Sequence, residues 1–526
     1  MAAAGSNGRA APTVIGVDVG TQSTKAVAVA ADGRVFAQQS RSYQVDRPAP
    51  LWAEQWPQVW LDAVVACIRA LVDDDQIDPA SVAAICVSSL YGGSGIPIDE
   101  AGEPTYPCLI WMDRRAQEQV ERIRRDVAVG RLESITANGV DSYYGYTKML
   151  WLRDERPEVW QRTRSFLPPN SWINARLCGE VAVDHCSAGN IGGIYDVRSR
   201  GWSDEMLDTL GIPRTMMPAR LVESTDVGGR LLPAWAGRLG LRAGTPIVAG
   251  GIDAAVATLA GGATRPGHHV AMIGTSMCWG TIRPRAESGL GLVTMPNVVD
   301  GLNDLYVFGG AITAGASVTW FREQFCHAES AAAAERGVDA HRLLEDAASA
   351  VPAGADGLLF LPYLMGERSP IWDPKASGAF VGLGLHHGRA HLYRAVLEGV
   401  GHALRHNIDA GSASGAPLDE ALTVVGGASH SDLWLQIIAD ICGRPVRSID
   451  GDVEASLGAA MLAALAVGLT DRERIARDWV RLVDRARPDA AVQGRYERLH
   501  RLYLDLYPAL KSTMHALRTI QPATGS

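Results

Sequence analysis

The sequence predicts an α/β protein built from two similar halves, and three observations carry that prediction. The chain has 526 residues, enough at roughly 100–200 residues per domain for two or more domains. VIGVDVGTQSTKAVAVAADG, residues 14–33, is an apolar run that breaks at Asp-Val-Gly-Thr and then resumes as Ala-Val-Ala-Val. HVAMIGTSMCWGTI, residues 269–282, repeats the theme with a Gly-Thr-Ser break. A strand–turn–strand unit opening each half suggests two related domains facing one another, not the short period of a solenoid.

The elements follow in order. Val14 to about Tyr43 reads as strand, turn, strand, turn, strand, with Asp32-Gly33 as a hairpin signal. Trp56 to Val72 has apolar residues at helical spacing, and VAAICVSSL, 82–90, is a buried strand. Arg114 to Arg125 is a charged helix. Residues 140–245 alternate helices and loops, with turns at Gly179-Glu180 and Gly211-Ile212-Pro213. TPIVAGG, 245–251, is a short buried strand, and DLYVFGGAITAG, 304–315, supplies a third strand of the second half. His386-His387 falls in a loop before a helix, and Leu433–Cys442 is an amphipathic helix. The apolar stretch Ala455–Leu469 is too short to span a bilayer and reads as a buried helix. The tail, 470–518, reads as charged and helical.

Composition narrows the function. Net charge is −9 with no long basic run, which argues against nucleic acid and anionic membranes as partners. The start, MAAAGSNGRAAPT, lacks the apolar core of a signal peptide and reads as a disordered leader. The eight cysteines include no C-x-x-C pair, so reduced thiols in a cytoplasmic compartment are expected. The histidines show no H-x-x-H or H-E-x-x-H spacing, so no protein-held zinc is expected. Neither a Walker G-x-x-x-x-G-K-S/T loop nor a G-x-S-x-G elbow occurs.

The chemistry concentrates at the breaks. In Gly20-Thr21 and Gly274-Thr275 a glycine lets backbone N–H groups approach a phosphate, and hydroxyls add further bonds. Lys25 can neutralise phosphate charge. Asp18, an acid beside an anion site, makes sense with a cation such as Mg²⁺ between them; a plain hairpin with a capping Asp is the alternative. In VAGGIDAAVATLAGG, Asp253 follows a strand and a Gly pair and opens a helical run. It suits a general base or a helix cap. Gly426-Gly427-Ala428 precedes a helix whose N-terminus favours anions.

Taken together these segments resemble the FGGY carbohydrate kinases of the actin–Hsp70–hexokinase superfamily, from Val14 to about Leu469. DVGTQSTKA and GHHVAMIGTSMCWGT resemble the family's two phosphate loops, and AGASVTWFRE its adenine-side segment. VVGGASHSDLWLQIIADICGRPV with EASLGAAMLA resembles its adenosine motif. LPYLMGERSPIWDPKASGAFVGL and Lys148-Met149-Leu150-Trp151 resemble family hallmarks. The resemblance implies two ribonuclease-H-like (actin-like ATPase) domains, 13–249 and 250–526, around a catalytic cleft. It implies Asp253 as catalytic base and Asp18 as the Mg²⁺ residue. ATP would meet Gly20, Thr21, Ser23, Lys25, Gly274, Thr275, Gly315, Thr319, Gly426, Gly427 and Ala428. The substrate would meet Tyr91, Gly92, Asp113, Arg115 and Asp253, with Glu54 bordering the cleft or structural.

Three positions depart from the family pattern. Xylulose-specific members usually carry Met-His-Gly where Tyr91-Gly92-Gly93 stands. Gly145 replaces a usual Pro, Ser or Thr, and Asn170 stands where Asp is common. Tyr91 is therefore expected to contact the sugar, and D-xylulose is expected not to be clearly the best substrate. The implied activity is an ATP-dependent kinase of a small ketose or polyol, a pentulose such as xylulose or ribulose first. Erythritol, ribitol or a glycerol-like polyol is the alternative, as is a nucleotide-gated sugar-binding protein without kinase activity. Homodimers are common in such families.

Overall fold

The computed structural model describes residues 11–73, 77–413, 415–450 and 455–520. The leader expected at the N-terminus lies, through residue 10, outside the described residues. Two sheets organise the chain. The first has six strands in the order Val227–Arg230, Pro246–Val248, Val82–Ser89, Thr13–Val19, Ser23–Ala30, Val35–Ser42. The second has seven: Val293–Pro296, Leu305–Gly309, Met277–Arg283, His269–Ile273, Leu422–Val425, Val446–Ile449, Leu482–Ala486. The opening strand of each half pairs antiparallel with the next and parallel with a later one. That central strand is covered on both faces, which is why VIGV and HVAMI are continuously apolar.

The helix Ala455–Ala466 ties the halves together. Its small residues let backbone meet backbone: a Cβ on Gly16 of the first strand would overlap Ser456 O and Ala460 N. A Cβ on Gly458 would overlap Val256 O in the helix Asp253–Ala260. The expected buried helix is therefore present, packed on the first sheet although in sequence it lies between two strands of the second.

Two expected elements differ. The tail is not helical throughout, because Leu482–Ala486 is an edge strand antiparallel to Val446–Ile449 before the helix Ala490–Ile520. Its mostly exposed, charged LVDRA composition suits a sheet edge, where charge blocks further pairing. The charged helix starts at Gln117 rather than Arg114, because the side chains of Arg114 and Arg115 are engaged elsewhere. No described helix is long and apolar enough to cross a membrane.

Candidate active site

Three parallel strand ends bring two acids together. Asp18 lies near the end of the first strand, and Ser88 on its parallel neighbour donates to Asp18 Oδ1 at 2.9 Å. The Ser89 N–H bonds to Gly251 O at 3.1 Å, which sets Asp253 beside the same edge. The crevice beyond the carboxyl ends of parallel strands is where such folds bind ligands. The Gly pair before Asp253 is required sterically: Gly250 has φ +77°, and its Cβ would overlap Val87 O.

Asp253 opens the helix Asp253–Ala260, and its Oδ1 accepts from the Ala254 N–H at 2.7 Å. Ile252 is the N-cap and Asp253 the first helical residue, so its side chain bonds the next N–H with one oxygen and leaves the other open. Burial, then the Asp18 charge, pushes its carboxyl up to about 7, against the Ala254 N–H and Arg368. An acid poised near neutrality suits proton removal at physiological pH. Lys25 sits directly opposite Asp18 across the hairpin, so the two share one sheet face. Among the described residues no group of three or more His, Cys, Asp or Glu converges as a metal cage. Two neighbouring carboxylates at a phosphate site nonetheless fit Mg²⁺, which takes one or two carboxylates and fills its octahedron with phosphate oxygens and water.

Both Gly-Thr turns are closed by the glycine N–H, the first over four residues and the second over three. Gly20 N–H donates to Ser23 O, and Gly274 N–H to Ser276 O, each at 2.9 Å. Trp111 Nε1 donates to Thr21 Oγ1 at 3.1 Å, bracing the first turn. On the second, Ala314 and Ala316 N–H both donate to Thr275 O at 3.0 Å. Gly315 lets its helix rest on the turn, because a Cβ there would lie 2.5 Å from Gly274 O. Gly274, Thr275, Gly315, Thr319, Gly427 and Ala428 line one cavity of about 950 Å³, a volume suited to a nucleotide. Gly426 (φ +85°) packs behind it on Ile273. Gly20, Thr21, Ser23 and Lys25 belong to the turn of the other sheet and do not line this cavity. Its far wall includes His341, Arg342 and Glu345 of the helix Ala340–Ser349. Sequence reading passed over that wall, since an amphipathic helix without a motif looks like any other.

On the expected sugar side, four of the expected residues are engaged within the protein. Tyr91 is buried, and its hydroxyl accepts from Gly145 N–H at 2.6 Å. A Cβ on Gly145 would overlap Gly93 O. Two departures from the family pattern, Tyr91 and Gly145, are thus one contact. Gly92 is buried against Pro169, whose Cδ lies 2.5 Å from where a Cβ would be, so the prolyl ring occupies the space of any side chain. Both Asp113 oxygens are taken, by Ala53 N–H at 2.7 Å and by Arg115. Arg115 in turn pairs with Glu54 at 2.6 Å and stacks on Trp52 at 3.7 Å. This ion network is buried. So is Asn170, which donates to Asp184 Oδ2 at 2.9 Å; an Asp at 170 would set two buried carboxylates face to face.

One consequence is testable. Tyr91→Phe leaves the buried Gly145 N–H unmet, which costs about 1–3 kcal/mol, and leaves the ranking of acceptors unmoved. Denaturant unfolding and a kcat/KM ranking measure the two effects separately. A changed ranking at unchanged stability would restore the sugar-contact role.

Other residues reach the site from the segment 361–383, whose role the sequence did not reveal. Trp372 stacks on Tyr144 with centroids 5.9 Å apart and lies 5.8 Å from Tyr143, so the second half closes on the first. Arg368 is buried, and its charge reaches Asp253, Tyr143 and Cys278. The segment is held from behind: Tyr507 and His515 of the C-terminal helix meet Asp373 Oδ2 at 2.5 and 2.6 Å. Lys148 fixes Tyr143 by donating to its carbonyl at 3.0 Å and to Ile110 O at 2.9 Å.

Comparison with known proteins places both halves of the chain. The sequence model of the FGGY family of carbohydrate kinases, N-terminal domain, matches residues 13–260, and that of the C-terminal domain matches 269–467. The chain is 30% identical over 512 residues to a xylulose kinase from Bacillus subtilis, covering 97% of this chain and 99% of that protein. It is 28% identical over 529 residues to a gluconokinase from Bacillus licheniformis, covering 98% and 99%. The crystal structure of a ligand-bound xylulose kinase from Lactobacillus acidophilus superposes with a TM-score of 0.88 at 26% identity, covering 96% of this chain and all of that one. With both halves matched in order, the chain belongs to the FGGY family of carbohydrate kinases and is a sugar kinase that uses ATP.

Proposed function

We propose that the protein transfers the γ-phosphoryl group of ATP to a hydroxyl of a small ketose or polyol, a pentulose first among them. The observation that carries this reading is Asp253: an acid held near neutrality, beside Asp18, at the crevice edge of the first sheet. Asp253 takes the proton of the reacting hydroxyl. The N–H groups and hydroxyl of Gly274-Thr275 meet the terminal phosphates, with Gly427 and Ala428 beneath the nucleotide and Gly315 and Thr319 on its adenine side. Gly20, Thr21, Ser23 and Lys25 approach the phosphates from the first sheet. Asp18 would hold Mg²⁺, which when bound neutralises phosphate charge. Residues 13–249 carry the acceptor and 250–526 the nucleotide, and closure of the two excludes water from the transfer. The negative charge supports an enzyme working without nucleic acid or an anionic membrane, and the cysteines without C-x-x-C spacing support a cytoplasmic one. Pairing into a homodimer is part of this proposal by resemblance alone.

The test is an ADP-release screen over C4 to C7 ketoses and polyols, with the products examined by phosphorus NMR. One or more acceptors should yield a phosphate ester, one per ADP. ADP release that ignores every acceptor would leave a nucleotide-gated binding protein instead.

A further inference from the structure

Asn190 ends the short helix His185–Asn190 and is fully buried. Among the described residues neither its Oδ1 nor its Nδ2 has a partner with hydrogen-bond geometry. The Tyr143 hydroxyl approaches this carboxamide without good hydrogen-bond geometry, which leaves the amide open to a ligand or water. The helix carrying this amide lies near Asp253. Cys186, one turn earlier on the same face, lies against Ile252 and feels the Asp253 charge. The polar neighbour of Asn190 is the Tyr143 hydroxyl, which also feels Arg368 and Asp253. Arg368 shows the same signature from the other half: it is 8% exposed, and its Nε is buried without a partner. Two unmet polar groups from opposite halves therefore flank Tyr143 and Asp253, and Trp372 closes over Tyr143 beside them.

The donor inventory limits what they can read. A guanidinium only donates, so Arg368 needs an oxygen acceptor such as a carbonyl or hydroxyl. A carboxamide both donates and accepts, so its complement is a hydroxyl, which also does both. A carboxylate only accepts, and would leave Asn190 Oδ1 unmet with another oxygen facing it.

We propose that Asn190 and Arg368 are the acceptor-reading pair of this kinase. Arg368 donates to the oxygen next to the reacting hydroxyl, and Asn190 exchanges a donor and an acceptor with a further hydroxyl. The pair selects a neutral ketose or polyol over a sugar acid. This rests on the sugar-kinase reading above.

The experiment measures kcat/KM for D-xylulose, D-ribulose, xylitol and D-gluconate on wild type, Asn190→Ala, Asn190→Asp and Arg368→Gln. Calorimetric ATP affinity reports that each variant is folded. Wild type should prefer a neutral acceptor to D-gluconate. Asn190→Ala should lose about 10–100-fold on the best acceptor, chiefly through KM, as expected when a polar pairing with substrate is removed. Arg368→Gln should weaken the same acceptors. Should the alanine variant fail to fold, the near-isosteric Asn190→Asp reads the same loss. A variant that loses stability but keeps KM and ranking assigns the amide to a buried water and overturns the proposal, as does a wild-type preference for D-gluconate. If wild type phosphorylates no acceptor, the kinase reading falls and this inference falls with it.

Discussion

Asp253→Asn lowers kcat by about 10²–10⁴-fold, the usual contribution of a positioned general base, while ATP affinity measured by calorimetry stays at the wild-type value. Asparagine keeps the shape and can keep the bond from Ala254 N–H at 2.7 Å, but it cannot take a proton. The same substitution should raise stability near neutral pH. Burial and Asp18 raise the folded carboxyl from 3.8 to about 7, so between those values the unfolded chain ionises while the folded site resists. The folded state is fully stable on this account at low pH and loses stability as pH rises through that window. Denaturant unfolding at pH 5 and pH 8 should show the variant gaining most at the higher pH. A base retained at the expense of stability is the trade expected of a catalytic group. Near-normal turnover in the variant would remove Asp253 from the chemistry.

Gly145→Ser, which restores a residue common in the family, should be among the most damaging single changes in this chain. The first atom it adds overlaps the Gly93 carbonyl oxygen and comes within 3.2 Å of Tyr91 Oη. Gly93 cannot retreat easily: it sits at φ +50°, and Leu109 O and Lys148 Nζ crowd its other side. Overpacking against backbone costs about 1–3 kcal/mol or more, and pushing the helix Gly145–Glu155 off Tyr91 also strands a buried N–H, about 1–3 kcal/mol again. The expected result is a large drop in the denaturant midpoint, with Gly145→Ala nearly as severe because the offending atom is Cβ. A serine variant as stable as wild type would mean that the Tyr91–Gly145 contact does not constrain this turn.

These outcomes mark what sequence could and could not show. The strand–Gly-Thr–strand units were legible because period, glycine and hydroxyl all point to one local structure. The place of Asp253 at a helix start was legible because the Gly pair, the acid and the small-residue helix are consecutive. The partners of Tyr91, Asp113 and Arg115 were not, since they are distant in the chain: Gly145 for Tyr91, Ala53 and Glu54 for the ion network. Arg368 and Asn190 were missed for the same reason, because an unmet buried polar group is defined by its surroundings. The edge strand Leu482–Ala486 was hidden by charges that suit a helix surface and a sheet edge equally.

The central claim is that Asp253, held near neutrality, accepts the proton of the acceptor hydroxyl. The most direct test is the pH profile of kcat/KM for the best acceptor at saturating ATP and Mg²⁺, measured on wild type and Asp253→Asn together. Because the base must be ionised and its carboxyl is raised to about 7, the wild-type profile should climb with pH, bend near neutrality and level off above. The variant's residual rate should lack that limb, which separates Asp253 from the titration of ATP itself. Two profiles that run parallel across the range would contradict the account.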